Sequence, residues 1–398
     1  MKLKIKNFRS IEDHEIQIAP ITVLYGPNGA GKSSLLYALL TFQKLVHGSN
    51  QDPMRLFSYG SVNLGDFDSV VFDHLSKRTI EFCLTRNFRG ALIEYQVELK
   101  KENVGTYRAS VQDTKGPCVD LALPVSFPYS ANQRIEREIR YGEEHFKVSW
   151  DGISARPDRF NLGTKIYRSP RRLAENLNFI PRLFGHLDIV PLKRGFSNPY
   201  PPSIPGGDFG SEDGLVFKLL HVEGLEAEVR DYVKEIFHKD FHVRKLGIGR
   251  VALEITDRES GLTCNLVNEG FGLNQTVFML VKCLQFDHGL MLIEEPEIHL
   301  HPTAIRNLAR ALVQIGRVKK EPFLVSTHSE SFLLAMLASV ARAELKPEDL
   351  ACYLVQKKKK TTVFERQAVN EDGQVDGGLS SFLEGELEDV KAFLGVDE

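Results

Sequence analysis

The chain has 398 residues and a formal net charge of −3, so it lacks the overall basic charge of many nucleic-acid binders. Contact with nucleic acid therefore needs a local basic patch or a partner. The five cysteines form no C-x-x-C pair, which argues against a zinc site and against a disulfide framework. No amino-terminal signal peptide and no apolar run near the ~20 residues of a membrane span are present, so we expect a cytoplasmic protein.

Strands are predicted ahead of a glycine-rich turn. Leu3 and Ile5 alternate with lysines, as in a half-buried strand, and residues 16–18 begin a second strand. Residues 21–24 form a short apolar third strand. The helix that follows the turn is expected to end near residues 47–50, which are polar and contain a glycine.

The turn itself carries the phosphate-binding P-loop pattern G-x-x-x-x-G-K-S between a strand and a helix. Its glycines allow the backbone N–H groups to face phosphates, and the helix amino terminus favours the negative charge. Lys32 is expected to reach the β- and γ-phosphates, and the Ser33 hydroxyl to bind magnesium. A chance glycine-rich turn is the alternative, which the complete motif in its proper context disfavours. The predicted nucleotide-binding residues of this segment are Gly26, Pro27, Asn28, Gly29, Ala30, Gly31, Lys32, Ser33 and Ser34.

The next part of the chain alternates between apolar and polar residues. Residues 79–85 and 92–99 predict an antiparallel hairpin within a β-rich lobe. Residues 100–158 show no clear period, and irregular structure is expected there, with a basic helix over residues 134–141.

Helical segments are predicted over residues 170–184 and 215–238. The proline-rich residues 198–207 predict a loop between them. Residues 243–256 return to a strand pattern.

Two adjacent carboxylates end an apolar strand at residues 291–295. Such a pair is commonly a solvated strand end, but its place after a P-loop and before a proline makes it a Walker B candidate. Glu294 is expected to hold magnesium, and Glu295 to accept a proton from the attacking water as general base.

Residues 323–329 form another apolar strand that ends in hydroxyl groups and a histidine. Lone histidines at strand ends are commonly structural, yet the order after the two carboxylates makes His328 a candidate γ-phosphate contact. Ser329 is expected to cap the helix that follows.

Several other polar segments have simpler interpretations. His299 and His301 are poorly spaced as a helical metal-binding pair, and we interpret them as structural loop residues. Residues 134–140, 168–172 and 357–360 are basic runs, for which a solvated face is the usual explanation. We expect the last to be a hairpin tip, and residues 168–172 to be the better candidate for a nucleic-acid or partner contact.

Taken together, these motifs resemble the ABC-type ATPase core of RecF, SMC and the OLD family, most closely the OLD-like AAA group. The resemblance rests on four stretches in the family's order: residues 7–10, the P-loop, residues 188–194 and residues 326–329, with the Walker B text of residues 294–302. It implies that Arg9 belongs to the nucleotide site. It also places residues 268–275 at the ABC signature, although they depart from the usual L-S-G-G-Q string. Gly270 and Gly272 are then candidate contacts to the nucleotide of a second subunit, with a simple turn as the alternative.

The fold class that the resemblance implies is α/β: a P-loop NTPase of the ABC-type ATPase head, with a mixed central sheet, a β-rich lobe and an inserted middle region. We predict a head built from residues 1–114 and 241–398 around an insertion at 115–240. ATP and Mg2+ are the expected cofactors, and a homodimer around ATP is the expected assembly.

The biological role divides into three hypotheses. The first is an ATPase coupled to DNA or to a separate nuclease or toxin effector, in phage defence or DNA repair, because the chain after His328 is too short for the Toprim nuclease domain of OLD proteins. The second is a nucleotide-gated sensor or scaffold that regulates a partner without acting on DNA. The third, a transporter's ATP-binding subunit, is disfavoured by the weak signature and the inserted middle.

Overall fold

The computed structural model describes residues 1–47, 55–60, 62–126, 133–157, 168–203, 211–247, 249–375 and 378. The predicted helix stop at 48–50 and part of the proline-rich loop, residues 204–207, lie outside these ranges. Within them, no helix is long and apolar enough to cross a membrane.

The described residues form the following strands and α-helices. The strands are β1 (Lys2–Phe8), β2 (Ile11–Gln17), β3 (Ile21–Tyr25), β4 (Ser58–Tyr59), β5 (Val62–Asn63), β6 (Ile80–Phe88), β7 (Ala91–Lys100), β8 (Val104–Asp113), β9 (Val119–Ser126), β10 (Ile135–Tyr141), β11 (Glu144–Trp150), β12 (Ala155–Pro157), β13 (Leu187–Val190), β14 (Lys239–Lys245), β15 (Val251–Asp257), β16 (Thr263–Asn265), β17 (Leu290–Glu294), β18 (Phe323–Thr327), β19 (Leu350–Lys358) and β20 (Thr361–Gln367). The α-helices are α1 (Lys32–His47), α2 (Phe67–Val70), α3 (Arg168–Gly185), α4 (Glu212–His221), α5 (Leu225–Phe237), α6 (Phe271–Gln285), α7 (Pro302–Lys319) and α8 (Glu330–Ala341).

The chain divides into two compact units. Unit 1 comprises Met1–Ile18, Asn28–Leu187 and Val355–Glu365, and unit 2 comprises Ala19–Pro27, Asp188–Leu354 and Arg366–Glu398. These boundaries differ from the three segments that we infer from sequence, and that division stays a prediction.

Unit 1 contains a six-stranded sheet in the order β2-β1-β6-β7-β8-β9, with antiparallel neighbours throughout. Strand β7 buries alternate residues, namely Ala91, Ile93, Tyr95, Val97 and Leu99, because successive side chains point to opposite faces. The predicted hairpin is present as β6 and β7. The second strand begins earlier than the sequence indicates, at Ile11.

The prediction of irregular structure over residues 100–158 is wrong, because β8 to β12 lie there. The predicted basic helix is β10, which pairs with β11 through Ile139 and Phe146. Ile135 and Ile139 share a helical spacing that favoured the wrong element. The turn at Gly142, whose φ is +59°, is the hairpin signal that decides the structure.

Helix α3 confirms the segment predicted at residues 170–184. It buries Leu173, Leu177, Ile180 and Phe184, and it packs against α1 within unit 1. The basic run at residues 357–360 forms the predicted tip between β19 and β20, where exposed Lys360 pairs with Asp73 at 2.8 Å.

Unit 2 contains strands in the order β13-β17-β18-β3-β19, of which β17, β18, β3 and β19 pair in parallel. Strand β3 lies between β18 and β19, parallel to both, and all five of its residues are buried. Strands covered on both faces read as continuous apolar runs, which explains why β3, β17 and β18 could be recognised from sequence. The expected central position of these three strands is confirmed.

Helices α4 to α8 share the apolar core of unit 2 with these strands. The single helix predicted over residues 215–238 is two helices, α4 and α5. Gly224 separates them with a φ of +80°, a conformation that suits glycine and interrupts a helix.

Candidate functional site

The carboxyl ends of three strands of unit 2 lie in register. Glu294 pairs with Ser326, and Ser326 pairs with Leu24 on β3. The side chains at this edge are enclosed: Glu294 is 5% exposed and Ser326 is 1% exposed. Since ligands of open parallel sheets bind beyond the carboxyl ends of the strands, this edge is the candidate site.

Glu295 leaves the strand in an unusual conformation. Its φ is +44°, in the left-handed region that side chains other than glycine rarely adopt. Its backbone N–H donates to the carbonyl of Ser326 at 2.9 Å. Its carboxylate Oε1 lies 2.5 Å from Nε2 of His328, so the strained backbone brings the two predicted catalytic side chains together. Such strain persists where surrounding contacts enforce it, and it is concentrated at functional sites.

His328 is held through both ring nitrogens. Nδ1 lies 3.2 Å from the carbonyl oxygen of Gly26, at the end of β3. Because a carbonyl oxygen only accepts, Nδ1 carries a proton and donates it. The other nitrogen, Nε2, shares one proton with the Glu295 carboxylate, as an imidazolium beside a carboxylate or as a neutral ring beside a carboxyl group. Glu295 is thus hydrogen-bonded to His328 in this state.

A further carboxylate, Glu297, fixes the segment that carries His328. Its Oε1 accepts from the hydroxyl of Thr327 and the backbone N–H of His328, both at 2.7 Å, and from the N–H of Ser329 at 3.2 Å. The predicted cap is present, because Ser329 Oγ accepts from Phe332 N. A carboxylate at this position suits the positive end of the α8 dipole. Glu297 is not among the residues predicted for the site.

Arg194 holds the backbone of the Glu294–Glu295 pair. Its Nη1 donates to the carbonyls of Pro191 and Glu294, at 3.0 and 2.7 Å, and its Nη2 donates to the carbonyl of Glu295 at 2.8 Å. Burial lowers the pKa of Arg194 to about 10, an effect opposed by the nearby carboxylates, of which Glu297 is the largest contributor. The guanidinium therefore stays charged at neutral pH.

The loop of Arg194 is itself anchored to α6. Asp188 pairs at 2.8 Å with Lys282, a buried lysine of that helix. Asn274 bonds the backbone of Phe196 twice, accepting from its N–H at 2.8 Å and donating to its carbonyl at 2.9 Å. These contacts give a structural role to residues 188–194, one of the stretches on which the family resemblance rests.

The P-loop begins in unit 2 with Gly26 and Pro27 and continues in unit 1 from Asn28. In unit 1, Gly31 has a φ of +107°, and a Cβ there would overlap the hydroxyl of Thr362 and lie 2.9 Å from Oγ of Ser10. Only glycine allows this approach. Thr362, which is fully buried, lies 2.7 Å from Ser10 Oγ and 2.9 Å from the carbonyl of Ala30, and it was not recognised from sequence.

The motif's polar residues open α1. Lys32 is 4% exposed at the first helical position, Ser33 is partly exposed, and Ser34 Oγ lies 3.3 Å from Ser10 Oγ. Lysine and a hydroxyl at this position fit phosphate and magnesium, since magnesium prefers oxygen ligands.

Arg9 of unit 1 has a φ of +50° and donates its backbone N–H to Val70 at 2.6 Å. Its guanidinium lies 5.6 Å from the centre of the Tyr37 ring. These contacts fix the residue beside α1, and its assignment to the nucleotide site stays a prediction.

The two signature-region glycines differ in their surroundings. A Cβ on Gly272 would overlap the carbonyl of His299, so its absence lets the loop after Glu295 pack on α6. A Cβ on Gly270 would meet nothing within 4 Å, and the adjacent Phe271 is 75% exposed. Packing thus explains why residue 272 is glycine, but it does not explain why residue 270 is glycine.

The other polar candidates have structural partners. Arg172 of the basic run at 168–172 forms a two-pronged ion pair with Asp113, at 2.5 and 2.9 Å. His301 caps α7, accepting from Thr303 N at 3.4 Å. Among the described residues, no group of three or more His, Cys, Asp or Glu side chains is arranged to hold a metal ion.

Comparison with known proteins gives one family match and several relatives. Residues 21–335 match the family model described as "AAA domain, putative AbiEii toxin, Type IV TA system". The OLD nuclease of Thermus scotoductus is 26% identical over 351 residues, which cover 83% of this chain and 59% of that protein. The DNA replication and repair protein RecF of Erwinia tasmaniensis is 38% identical over 93 residues, covering 22% of this chain and 24% of that protein. The chain therefore spans less than two thirds of the length of either relative.

A solved structure shares the fold. The crystal structure of an SMC head bound to the C-terminal winged-helix domain of ScpA has a TM-score of 0.50 to this chain at 13% identity. The similarity covers 92% of this chain and 97% of that one. The expected fold class, a P-loop NTPase of the ABC-type ATPase head, is confirmed.

Proposed function

We propose that this chain hydrolyses ATP to ADP and phosphate. It belongs to the AAA-domain family that it matches over residues 21–335, and it is an ABC-type ATPase of the OLD, RecF and SMC class. The observation that carries the proposal is the contact between Glu295 and His328 at the carboxyl ends of the parallel strands. A base and a γ-phosphate contact held together at this edge suit the attack of water on a terminal phosphate.

The residues of the site have separate roles in this proposal. Backbone N–H groups of Gly26, Asn28, Gly29, Ala30 and Gly31, together with Lys32, Ser34 and Arg9, bind the phosphates, while Pro27, which has no N–H, shapes the loop. Ser33 and Glu294 hold Mg2+, which neutralises phosphate charge when bound. His328 donates to the γ-phosphate, and Glu295 accepts a proton from the attacking water. Because Glu295 and His328 bond to one another here, engagement of His328 by phosphate would release the carboxylate for this step.

The first test is nucleotide binding by Lys32→Ala. Loss of a charge-assisted contact to phosphate is expected to weaken ATP binding by about 10- to 100-fold. Titration of a fluorescent ATP analogue measures the affinity, with Lys360→Ala at the exposed hairpin tip as the control. Unchanged affinity in Lys32→Ala would remove the P-loop from the site.

The proposed assembly is a homodimer in which Gly270, with Gly272 behind it, faces the nucleotide of the second copy. Its support is Phe271, an aromatic residue left 75% exposed at the start of α6, since exposed large apolar groups mark interaction surfaces. Sedimentation of Glu295→Gln with ATP should show a dimer that Phe271→Ser weakens. Val318→Ser, at a residue that is 76% exposed on α7, is the matched control and should leave it intact.

For the biological role, we propose coupling to DNA or to a separate nuclease or toxin effector, because the OLD nuclease is a relative. One observation favours the alternative of a nucleotide-gated regulator that does not act on DNA. Arg172 lies in residues 168–172, the better candidate for a nucleic-acid contact, but it forms an ion pair with Asp113. Hydrolysis rates with and without duplex DNA separate the two. Stimulation by DNA supports the first hypothesis, and indifference supports the second.

A further inference from the structure

A second set of contacts lies directly behind the proposed catalytic pair. Arg194 spans the backbone at the point where β17 ends, with one nitrogen on the carbonyl of Glu294 and another on that of Glu295. The Glu295 carbonyl also accepts from the N–H of Ile298 at 3.3 Å. The peptide that follows the general base is therefore held from two sides.

The geometry of the guanidinium suits this task. Its planar fork presents several N–H donors in fixed directions, so two bonds to successive carbonyls define the orientation of the peptide between them. Glu295 has a φ of +44°, and an L-residue keeps that conformation only when its surroundings enforce it. A rotation at this residue would swing the carboxylate away from His328.

The backbone beside Arg194 and the start of its guanidinium group are also held in place. The neighbouring Gly195 has a φ of +126°, and a Cβ there would lie 3.2 Å from Oδ1 of Asn274, the α6 side chain that bonds Phe196. Nε of Arg194 is inaccessible to solvent, so the guanidinium is enclosed on the side away from the carbonyls.

We infer that Arg194 is a positioning residue for ATP hydrolysis, which fixes the backbone of Glu294 and Glu295 so that the Glu295 carboxylate faces His328 and the attacking water. This inference rests on the proposed function. In this role Arg194 does not contact the nucleotide. We therefore expect variants of Arg194 to lower the rate of ATP turnover without changing the affinity for ATP.

Arg194→Lys tests the inference while keeping the charge. An ammonium group cannot bond both carbonyls in the fork geometry, and misplacement of a reacting group by about 1 Å costs up to about 100-fold in rate. We expect kcat to fall by about 10- to 100-fold, with KM and the dissociation constant for ATP changed by less than about threefold. Lys193→Met, at the exposed neighbouring residue, is the matched control and should behave as the wild type.

A double-variant cycle distinguishes positioning from a general structural role. If Arg194 acts through the Glu295 carboxylate, Arg194→Lys should cost less than about twofold when added to Glu295→Gln. Single-turnover measurements with labelled ATP give these slow rates. Equal losses in both backgrounds, or an unchanged kcat in Arg194→Lys alone, would overturn the inference.

Gly195→Ala provides a second route if the lysine variant does not fold. The added Cβ displaces the loop that carries Arg194 while leaving its guanidinium present, and we expect a smaller loss of kcat, about 3- to 10-fold, that also disappears in the Glu295→Gln background. A loss that persists there contradicts the inference. Wild-type protein that binds ATP but does not hydrolyse it refutes the proposed function itself, a result distinct from the failure of the Arg194 variants.

Discussion

Two arginines in different regions of the molecule show how the same side chain performs different tasks. In unit 1, Arg172 on α3 bonds the carboxylate of Asp113, whose side chain is 0% exposed. In unit 2, Arg194 bonds the backbone carbonyls of Glu294 and Glu295. Both use the fork of the guanidinium, but one neutralises a buried charge and the other fixes a peptide.

The group that each arginine bonds determines what is lost when that arginine is removed. Removing Arg172 leaves a carboxylate buried without its counter-charge, which costs folding free energy. Removing Arg194 takes a donor from the carbonyls of Glu294 and Glu295, of which the latter keeps the N–H of Ile298, and it frees the backbone beside the proposed general base. The contact in unit 1 should therefore govern stability, and the contact in unit 2 should govern turnover.

The largest expected effect on stability is that of Arg172→Ala. Arg172 is 30% exposed and Asp113 keeps donors in Lys115 and Asn176, so loss of the charge-assisted bonds is expected to lower the free energy of unfolding by about 3 kcal/mol. Urea denaturation followed by circular dichroism measures it, with Arg171→Ala on the exposed face of α3 as the control, since Arg171 is 81% exposed. A stable Arg172→Ala protein with lowered kcat would reverse the comparison.

A smaller effect is expected at the signature-region glycines. Gly272→Ala forces the His299 carbonyl away from α6, and overpacking of this kind is expected to cost about 1–3 kcal/mol. Gly270→Ala meets nothing within 4 Å and should cost about 0.5 kcal/mol as a change at a helix cap. Thermal unfolding compares the two variants. Equal destabilisation would show that packing on His299 does not explain Gly272.

The smallest expected effect is on the pH dependence of stability, which tests the ion pair between Arg172 and Asp113 in unit 1. Arg172 lowers the pKa of Asp113 by donating hydrogen bonds to its carboxylate. A carboxyl group with a lowered pKa in the folded state stabilises the protein above its unfolded pKa of about 3.9, and this stability is lost as the pH falls through the folded pKa. The free energy of unfolding should therefore decrease below about pH 4, with a shallower slope in Asp113→Asn. Identical slopes would exclude this contribution.

The sequence predicted most of the fold where local pattern and buried position agree. The P-loop, the strands ending at Glu294 and Thr327, and the hairpin of β6 and β7 all follow from apolar runs or alternation. The helix predicted over residues 134–141 is strand β10 instead, because Ile135 and Ile139, four positions apart, fit a helix as well as a strand. Pairing with β11 decided the conformation.

The supporting contacts of the site were beyond reach of sequence. Arg194 bonds backbone carbonyls, which any residue supplies, so its partners leave no sequence signal. Thr362 reaches Ala30 across 332 positions, and Glu297 accepts mainly from backbone N–H groups. Arg172 and Asp113 lie 59 positions apart and read from sequence as separate surface charges.

The role of Glu295 as general base is tested most directly by single-turnover hydrolysis of ATP by Glu295→Gln, measured together with the affinity of this variant for ATP. Glutamine keeps the shape of the side chain but is a far weaker base, so we expect the rate to fall by about 100- to 10,000-fold. ATP affinity should stay within about threefold of the wild type, since Glu295 acts on water. An unchanged rate, or a loss of activity explained entirely by lost ATP binding, would contradict the assignment of Glu295 as the general base.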